Sequence, residues 1–269
     1  MSRCVETFQL SLEAAEAYET KFVPALFAEW APVLVDAAGV APGQAVLDVA
    51  CGTGVVAREA AARLRGTGTV TGVDLNEAML TVARRLRPDI SWRHGDACAL
   101  PFDDASCDAV LCQAALMFFP DRARALGEMA RVAADGGAVA IQVWAGLDAQ
   151  PGYGPFVEIA ARHAGPEAVD LLSAYWALGD LDLVCSLLVA AGLEVTTRST
   201  RVGTARFSSI DELVRIEVEG TPLADRIDEE IYRRILDDAR ERLAPFRSAE
   251  GTADIPIAGH VVAARKPLS

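Results

Sequence analysis

The apolar positions of this chain change period in a regular way. Between residues 11 and 38 they recur every three or four positions, through Leu12, Ala15, Tyr18, Phe22 and Ala25, which predicts helix. Pro24 and Pro32 are expected to break that stretch into short helices. Gly39 to Gln44, GVAPGQ, reads as a turn. From residue 45 onward short apolar runs alternate with amphipathic segments. Strands are predicted at 45–50, 69–74, 90–95, 107–113 and 138–144, and helices at 54–65, 77–86 and 121–133. ADGG, just before residue 138, reads as a turn. Strands separated by helices of this length imply a parallel sheet covered on both faces, and the near-continuous apolar strands agree.

The rhythm changes after Trp144. Residues 146–190 read as helical stretches, 193–203 as a strand, 209–243 as charged helix and 257–267 as a last strand. The division predicted is an N-terminal helical cap over 1–40, a core over 41–145 and a helical lid insertion over 146–192. C-terminal strands over 193–269 then complete the sheet around a second helical insertion at about 209–245. Tyr18, Phe22, Phe27 and Trp30 either line one wall of the lid or pack in the core, the more frequent place for aromatics at helical spacing, and Trp144, Tyr153, Phe156, Tyr175 and Trp176 stand likewise for the other wall. Such a wall suits an apolar or aromatic ligand.

Candidate chemistry begins with residues 46–57, VLDVACGTGVVA. Gly52, Gly54 and Ala57 satisfy the G-x-G-x-x-[GA] fingerprint at a strand-to-helix turn, where glycines let a ligand approach backbone N–H groups. The group held there is a pyrophosphate or a carboxylate. Asp48 is an awkward neighbour for phosphates, but it suits the ammonium and sulfonium of S-adenosylmethionine; alternatively it bonds the N–H groups of its own loop. Asp74, ending the second strand, can accept both ribose hydroxyls of either cofactor. Asp96 can accept from an adenine amino group while the Ala97 N–H bonds a ring nitrogen. Three acids at the ends of successive strands share the sheet edge where open α/β folds bind ligands.

Charge and cysteines narrow the classes. A net charge of -13 disfavours nucleic acid, with ARRLRP the best local basic patch. No run of about 18 apolar residues predicts a membrane span, and the acidic N-terminal residues do not read as a signal peptide. The 6 cysteines form no C-x-x-C pair and only 3 histidines are present, so neither zinc nor a disulfide framework is expected and no metal site is assigned. The simplest reading is a reduced cytoplasmic protein.

VLDVACGTG, VTGVD, GDACALPFDDASCDAVLCQAALMFFPD and ADGGAVAIQVW resemble, in order and spacing, the motifs of class I S-adenosylmethionine-dependent methyltransferases, over about residues 44–144. The branch they resemble is the ubiquinone/menaquinone-biosynthesis-like one that acts on small molecules. The resemblance implies a Rossmann-like α/β fold: seven mostly parallel strands, helices on both faces, and an antiparallel last strand supplied by His260 to Arg265. It implies that Gly52, Gly54 and the Ala50 carbonyl hold the methionine part, with Tyr18 reaching its carboxylate. Asp74 would bind the ribose, Leu75 and Asn76 flank the adenine, Asp96 and Ala97 read its edge, and Gln113 face the methionine moiety or the methyl group. It also implies methyl transfer to an O, N or C atom of a small acceptor, with S-adenosylhomocysteine as product. A homodimer is compatible with it. His163 is the candidate base, although such enzymes often use none. The alternatives are a protein of this fold catalysing a non-methylating reaction such as cyclisation, and an NAD-dependent oxidoreductase.

Overall fold

The computed structural model describes residues 10–166, 172–219, 223 and 227–268. It opens with α1 (Leu12–Ala17), a π-helix (Tyr18–Phe27) and α2 (Ala31–Ala38). Then come β1 (Ala45–Val49), α3 (Val55–Leu64), β2 (Thr69–Asp74), α4 (Glu77–Leu86), β3 (Ser91–His94) and β4 (Cys107–Gln113). α5 (Arg122–Val132) and β5 (Ala133–Trp144) follow, then α6 (Tyr153–Ala164) and α7 (Leu181–Ala190). The chain finishes with β6 (Glu194–Phe207), α8 (Ile210–Glu219), α9 (Glu229–Arg242) and β7 (Ala253–Arg265).

The strands form a 7-stranded sheet in the order β3-β2-β1-β4-β5-β7-β6. β1 pairs in parallel with β2 and β4, β2 with β3, and β4 with β5. β7 runs antiparallel to β5: the Gly136 N–H donates to the Lys266 carbonyl at 2.9 Å, and the Ala145 N–H to the Ala258 carbonyl at 3.0 Å. Seven strands, mostly parallel, with an antiparallel last strand in the chain are what the resemblance implies.

The chain divides into two compact units. One holds residues 1–143, 180–201 and 260–269; the other holds 144–179 and 202–259. The N-terminal helices and α7 thus belong to the first unit, and α6, α8 and α9 to the second.

α4 shows how sequence makes an element of the first unit. Asn76 caps it, accepting from the Ala78 and Met79 N–H groups; Glu77 lies in the first turn, and Arg84 and Arg85 in the last, all complementing the helix dipole. Met79, Leu80, Val82 and Ala83 make its buried stripe. Leu80 is fully buried, and its truncation to Ala is expected to cost about 2–5 kcal/mol.

The structure corrects several expectations. Pro24 does not end a helix but sits inside the π-helix, whose Ala28 N–H reaches back to the Val23 carbonyl at 2.8 Å. The wider i→i+5 spacing leaves the prolyl ring without the usual interior clash. Pro32 lies in the first turn of α2, where a missing N–H leaves no bond unmade. ADGG belongs to β5: the β4–β5 register shifts between Cys107 and Ala109, and Gly136 takes φ 72° in the irregular stretch. Cys51, Cys107, Cys112 and Cys185 are free thiols, but Cys98 is disulfide-bonded, against the expectation of a fully reduced set. Pairing depends on proximity in the fold, which spacing along the chain does not reveal. Among the described residues no helix is long and apolar enough to cross a membrane.

Candidate cofactor site

The loop between β1 and α3 is shaped by left-handed backbone. Ala50 (φ 54°), Gly52 (φ 54°) and Gly54 (φ 89°) all lie there. At Ala50, a residue with a Cβ, that conformation costs on the order of 1 kcal/mol. Such strain is found where surrounding structure over-determines the turn. Here the Cys51 N–H donates to the Val73 carbonyl (3.0 Å), the Gly54 N–H to the Cys51 carbonyl (2.8 Å), and the Gly52 N–H to Asp74 Oδ2 (2.7 Å).

Gly54 is glycine for a reason the fingerprint does not show. A Cβ there would stand 2.2 Å from the Trp92 indole, and one at Gly72 would stand 2.5 Å from it. Trp92, from β3, lies across both, its Nε1 donating to the Arg87 carbonyl at 2.8 Å. Gly52 faces Tyr18 instead: its added Cβ would be 3.7 Å from the Tyr18 ring, an ordinary contact. Tyr18 stacks on Phe22 and Phe27, with ring centroids 5.8 and 5.3 Å away.

The acids divide by role. Asp48 is 1% exposed and its Oδ2 accepts from the Ala57 N–H (2.9 Å) in the first turn of α3. It ties strand to helix, the second of the two readings open from sequence. Burial pushes its carboxyl up to about 8, the Ala57 N–H and nearby Arg58 pulling the other way and Asp74 adding to the rise. Asp74 is also buried, which raises its pKa, opposed by N–H bonds from Asn76 and Gly52. Its Oδ1 accepts from Asn76 N–H at 2.8 Å. The Leu75 N–H bonds the same carboxylate, which still has lone-pair capacity for a hydroxyl. Asp96 is half-buried, with Oδ1 taken by the Cys98 N–H (2.8 Å).

Asp74 and Asp96 meet in one cleft, lined by Ala50, Val73, Asp74, Leu75, Gly95, Asp96, Ala97, Phe119 and Pro120. Among the expected cofactor residues, Ala50, Asp74, Leu75, Asp96 and Ala97 thus stand together. Asn76 does not line it: its Oδ1 caps α4 and its Nδ2 donates to the Leu10 carbonyl (3.2 Å). Gln113 ends β4 with Nε2 donating to the Phe27 carbonyl (3.0 Å), while its Oε1 is buried without a hydrogen-bond partner. Thr53 Oγ1, in the glycine loop, is likewise buried without one. The lining holds two carboxylates and no Lys or Arg. That set suits a ligand with hydroxyls and an amino-bearing heterocycle, and it fits a pyrophosphate poorly.

His163 lies in the second unit, on α6. Its ring Nε2 is 2.8 Å from Asp238, which also pairs with Arg162 at 3.0 Å; the pair holds the Asp238 carboxyl below its ordinary range. In the same unit the Tyr153 hydroxyl donates to Glu217 at 3.1 Å, and Tyr153 meets Trp176 at a ring distance of 5.2 Å. Glu217 was missed from sequence. Burial pushes its carboxyl up to about 7, the Tyr153 bond opposing. A glutamate inside the apolar run LVRIEVE was the available signal.

The family profile described as methyltransferase domain matches residues 47–141. Over 128 residues the chain is 42% identical to a demethylmenaquinone methyltransferase of Renibacterium salmoninarum, covering 47% of this chain and 51% of that protein. The chain thus spans about half the length of that curated relative. Its fold is similar to that of the YcgJ protein of Bacillus subtilis, at 20% identity and TM-score 0.60, over 90% of this chain and 99% of that one. It is also similar to phosphoethanolamine N-methyltransferase 2 of Haemonchus contortus solved with S-adenosyl-L-methionine: 21% identity, TM-score 0.59, over 97% of this chain and 59% of that one. Residues 47–141 thus match a methyltransferase domain, and they carry the strands and the acid-lined cleft described above.

Proposed function

We propose that the chain transfers a methyl group from S-adenosylmethionine to a small aromatic acceptor of the quinol or phenol class. The observation that carries the reading is the cleft: two carboxylates and no cation, at the C-terminal ends of parallel strands. Asp74 would hold the ribose hydroxyls. Asp96 and the Ala97 N–H would read the adenine edge, with Leu75 against one face and Phe119 closing the cleft. The Ala50 carbonyl, the glycine loop and the buried Thr53 hydroxyl would meet the amino-acid end, within reach of Tyr18. When bound, the cofactor supplies an electrophilic methyl on a sulfonium that leaves as a neutral thioether.

What these residues do is bind, align and exclude water, the requirements of an in-line displacement. A phenolate needs only to be held in line, so no dedicated base is assigned. His163 is read as part of its ion pair with Asp238. The acceptor class comes from the likeness to a demethylmenaquinone methyltransferase and from the aromatic segment Tyr18, Phe22 and Phe27.

Two measurements test this. Thermal shift with S-adenosylhomocysteine and with NAD should show stabilisation by the first alone; stabilisation by NAD alone would overturn the assignment. Methyl-labelled cofactor and a reduced demethylated naphthoquinone should then give labelled product. Product without label would point to another reaction in the same pocket.

A further inference from the structure

β4 ends in Gln113, Gln142 stands two residues before the end of β5, and the parallel register sets the two side by side. Register partners in a sheet project to the same face. Gln113 reaches from that face to the Phe27 carbonyl, so both amides lie on the side covered by the N-terminal helices. Gln142 is 0% exposed, and neither its Oε1 nor its Nε2 has a hydrogen-bond partner. With Gln113 Oε1, three buried amide atoms on adjacent side chains stand unsatisfied. Gln150 shows what this chain does with a structural amide. It is as buried as Gln142, yet it donates to the Ala145 and Ala258 carbonyls (3.0 and 2.9 Å) and accepts from the Ala258 N–H (2.9 Å). A leucine would fill the place of Gln142 without leaving polar atoms unpaired. A buried amide without partners is costly, and where one persists it calls for a ligand or a functional constraint.

We propose that Gln113 and Gln142 form a polar clamp for a ring hydroxyl of the methyl acceptor. The Gln142 amide offers one donor group and one acceptor, and Gln113 Oε1 offers a second acceptor. That set matches a hydroxyl, which both donates and accepts, and not an ether or a bare hydrocarbon. The clamp lies toward the C-terminal ends of β4 and β5, on the side of the open sheet where such folds bind ligands. It makes Gln142 a specificity residue that touches the acceptor and leaves cofactor binding alone. This inference rests on the methyltransferase reading above.

The test uses the full chain saturated with S-adenosylhomocysteine, with 1,4-dihydroxynaphthalene and 1,4-dimethoxynaphthalene as probes. The wild type should prefer the dihydroxy compound. Gln142→Leu should bind S-adenosylhomocysteine unchanged and melt at the same or a higher temperature. It should weaken the dihydroxy compound about tenfold, the worth of one or two neutral hydrogen bonds, and leave the dimethoxy compound unaffected. Should the leucine variant not fold, Gln142→Met gives the same comparison. An unchanged preference in a folded variant overturns the clamp, as does a wild type without preference. A lower melting temperature with unchanged preference would mean that the amides serve internal structure. Failure of the wild type to bind S-adenosylhomocysteine would instead sink the cofactor assignment, whatever Gln142 does.

Discussion

Asp48→Asn should make the protein more stable, and increasingly so as pH rises. Asp48 is buried, and its carboxyl titrates at about 8 in the fold against a model-compound value of 3.8. The folded chain therefore holds this proton more tightly than the unfolded chain. The stability contribution of Asp48 is then fully present below the unfolded value and is lost as pH climbs through about 8. The loss approaches about 1.4 kcal/mol for each pH unit inside that window. From pH 5 to pH 8 the ceiling is about 4 kcal/mol, and relaxation around the charge brings the expected value to about 2–4 kcal/mol. Asparagine keeps an oxygen for the Ala57 N–H, bonded at 2.9 Å in the parent, and carries no charge. Urea unfolding of parent and variant at pH 5, 6.5 and 8, at one ionic strength, isolates the effect, because other titrating groups cancel in the difference. A gap between the two proteins that stays constant from pH 5 to pH 8 would refute the argument.

Other outcomes follow from the same geometry. Gly54→Ala should cost about 2–4 kcal/mol, because the new Cβ meets the Trp92 ring and φ is positive; Trp92→Ala in the same chain should recover part of that, read by thermal melts. Asp74→Ala should weaken S-adenosylhomocysteine binding by about 1.5–3 kcal/mol by calorimetry, with unchanged affinity showing that the ribose is held elsewhere. Asn76→Ala should cost about 1 kcal/mol of stability through lost capping, yet leave that affinity nearly intact, since its side chain does not line the cleft. Glu217→Gln should remove a loss of stability that the parent shows as pH rises through about 7, because burial raises that carboxyl too; equal pH profiles in guanidinium would refute it.

Much of the first unit was legible because its elements are bounded by residues with local meaning. β2, α4 and β4 fall on the spans that periodicity marks, Thr69–Asp74, Glu77–Leu86 and Cys107–Gln113. β2 and β4 are mostly apolar runs closed by Asp74 and Gln113, and α4 is an amphipathic helix opened by its cap, Asn76. The π-helix was not legible, since proline carries the same local signal whether it breaks a helix or sits in a widened turn. β5 was read short because glycines that signal a turn also fit a strand irregularity. At the site, Asp74, Asp96 and Ala97 were found through their place at strand ends. Trp92 and Gln142, in the same unit, and Glu217, in the other, were not, because their roles depend on what packs over them. Gln142 left only a faint trace, one amide inside AIQVW.

The position of Trp92 also gives the molecule an optical readout. Its indole rests on the backbone of Gly54 and Gly72 at distances no side chain could share, so the loop cannot shift without displacing a fluorophore. The chain contains 4 tryptophans, and a variant retaining Trp92 alone would report loop movement as a change in emission. Titrating such a variant with S-adenosylhomocysteine would follow the loop in real time, with no label attached.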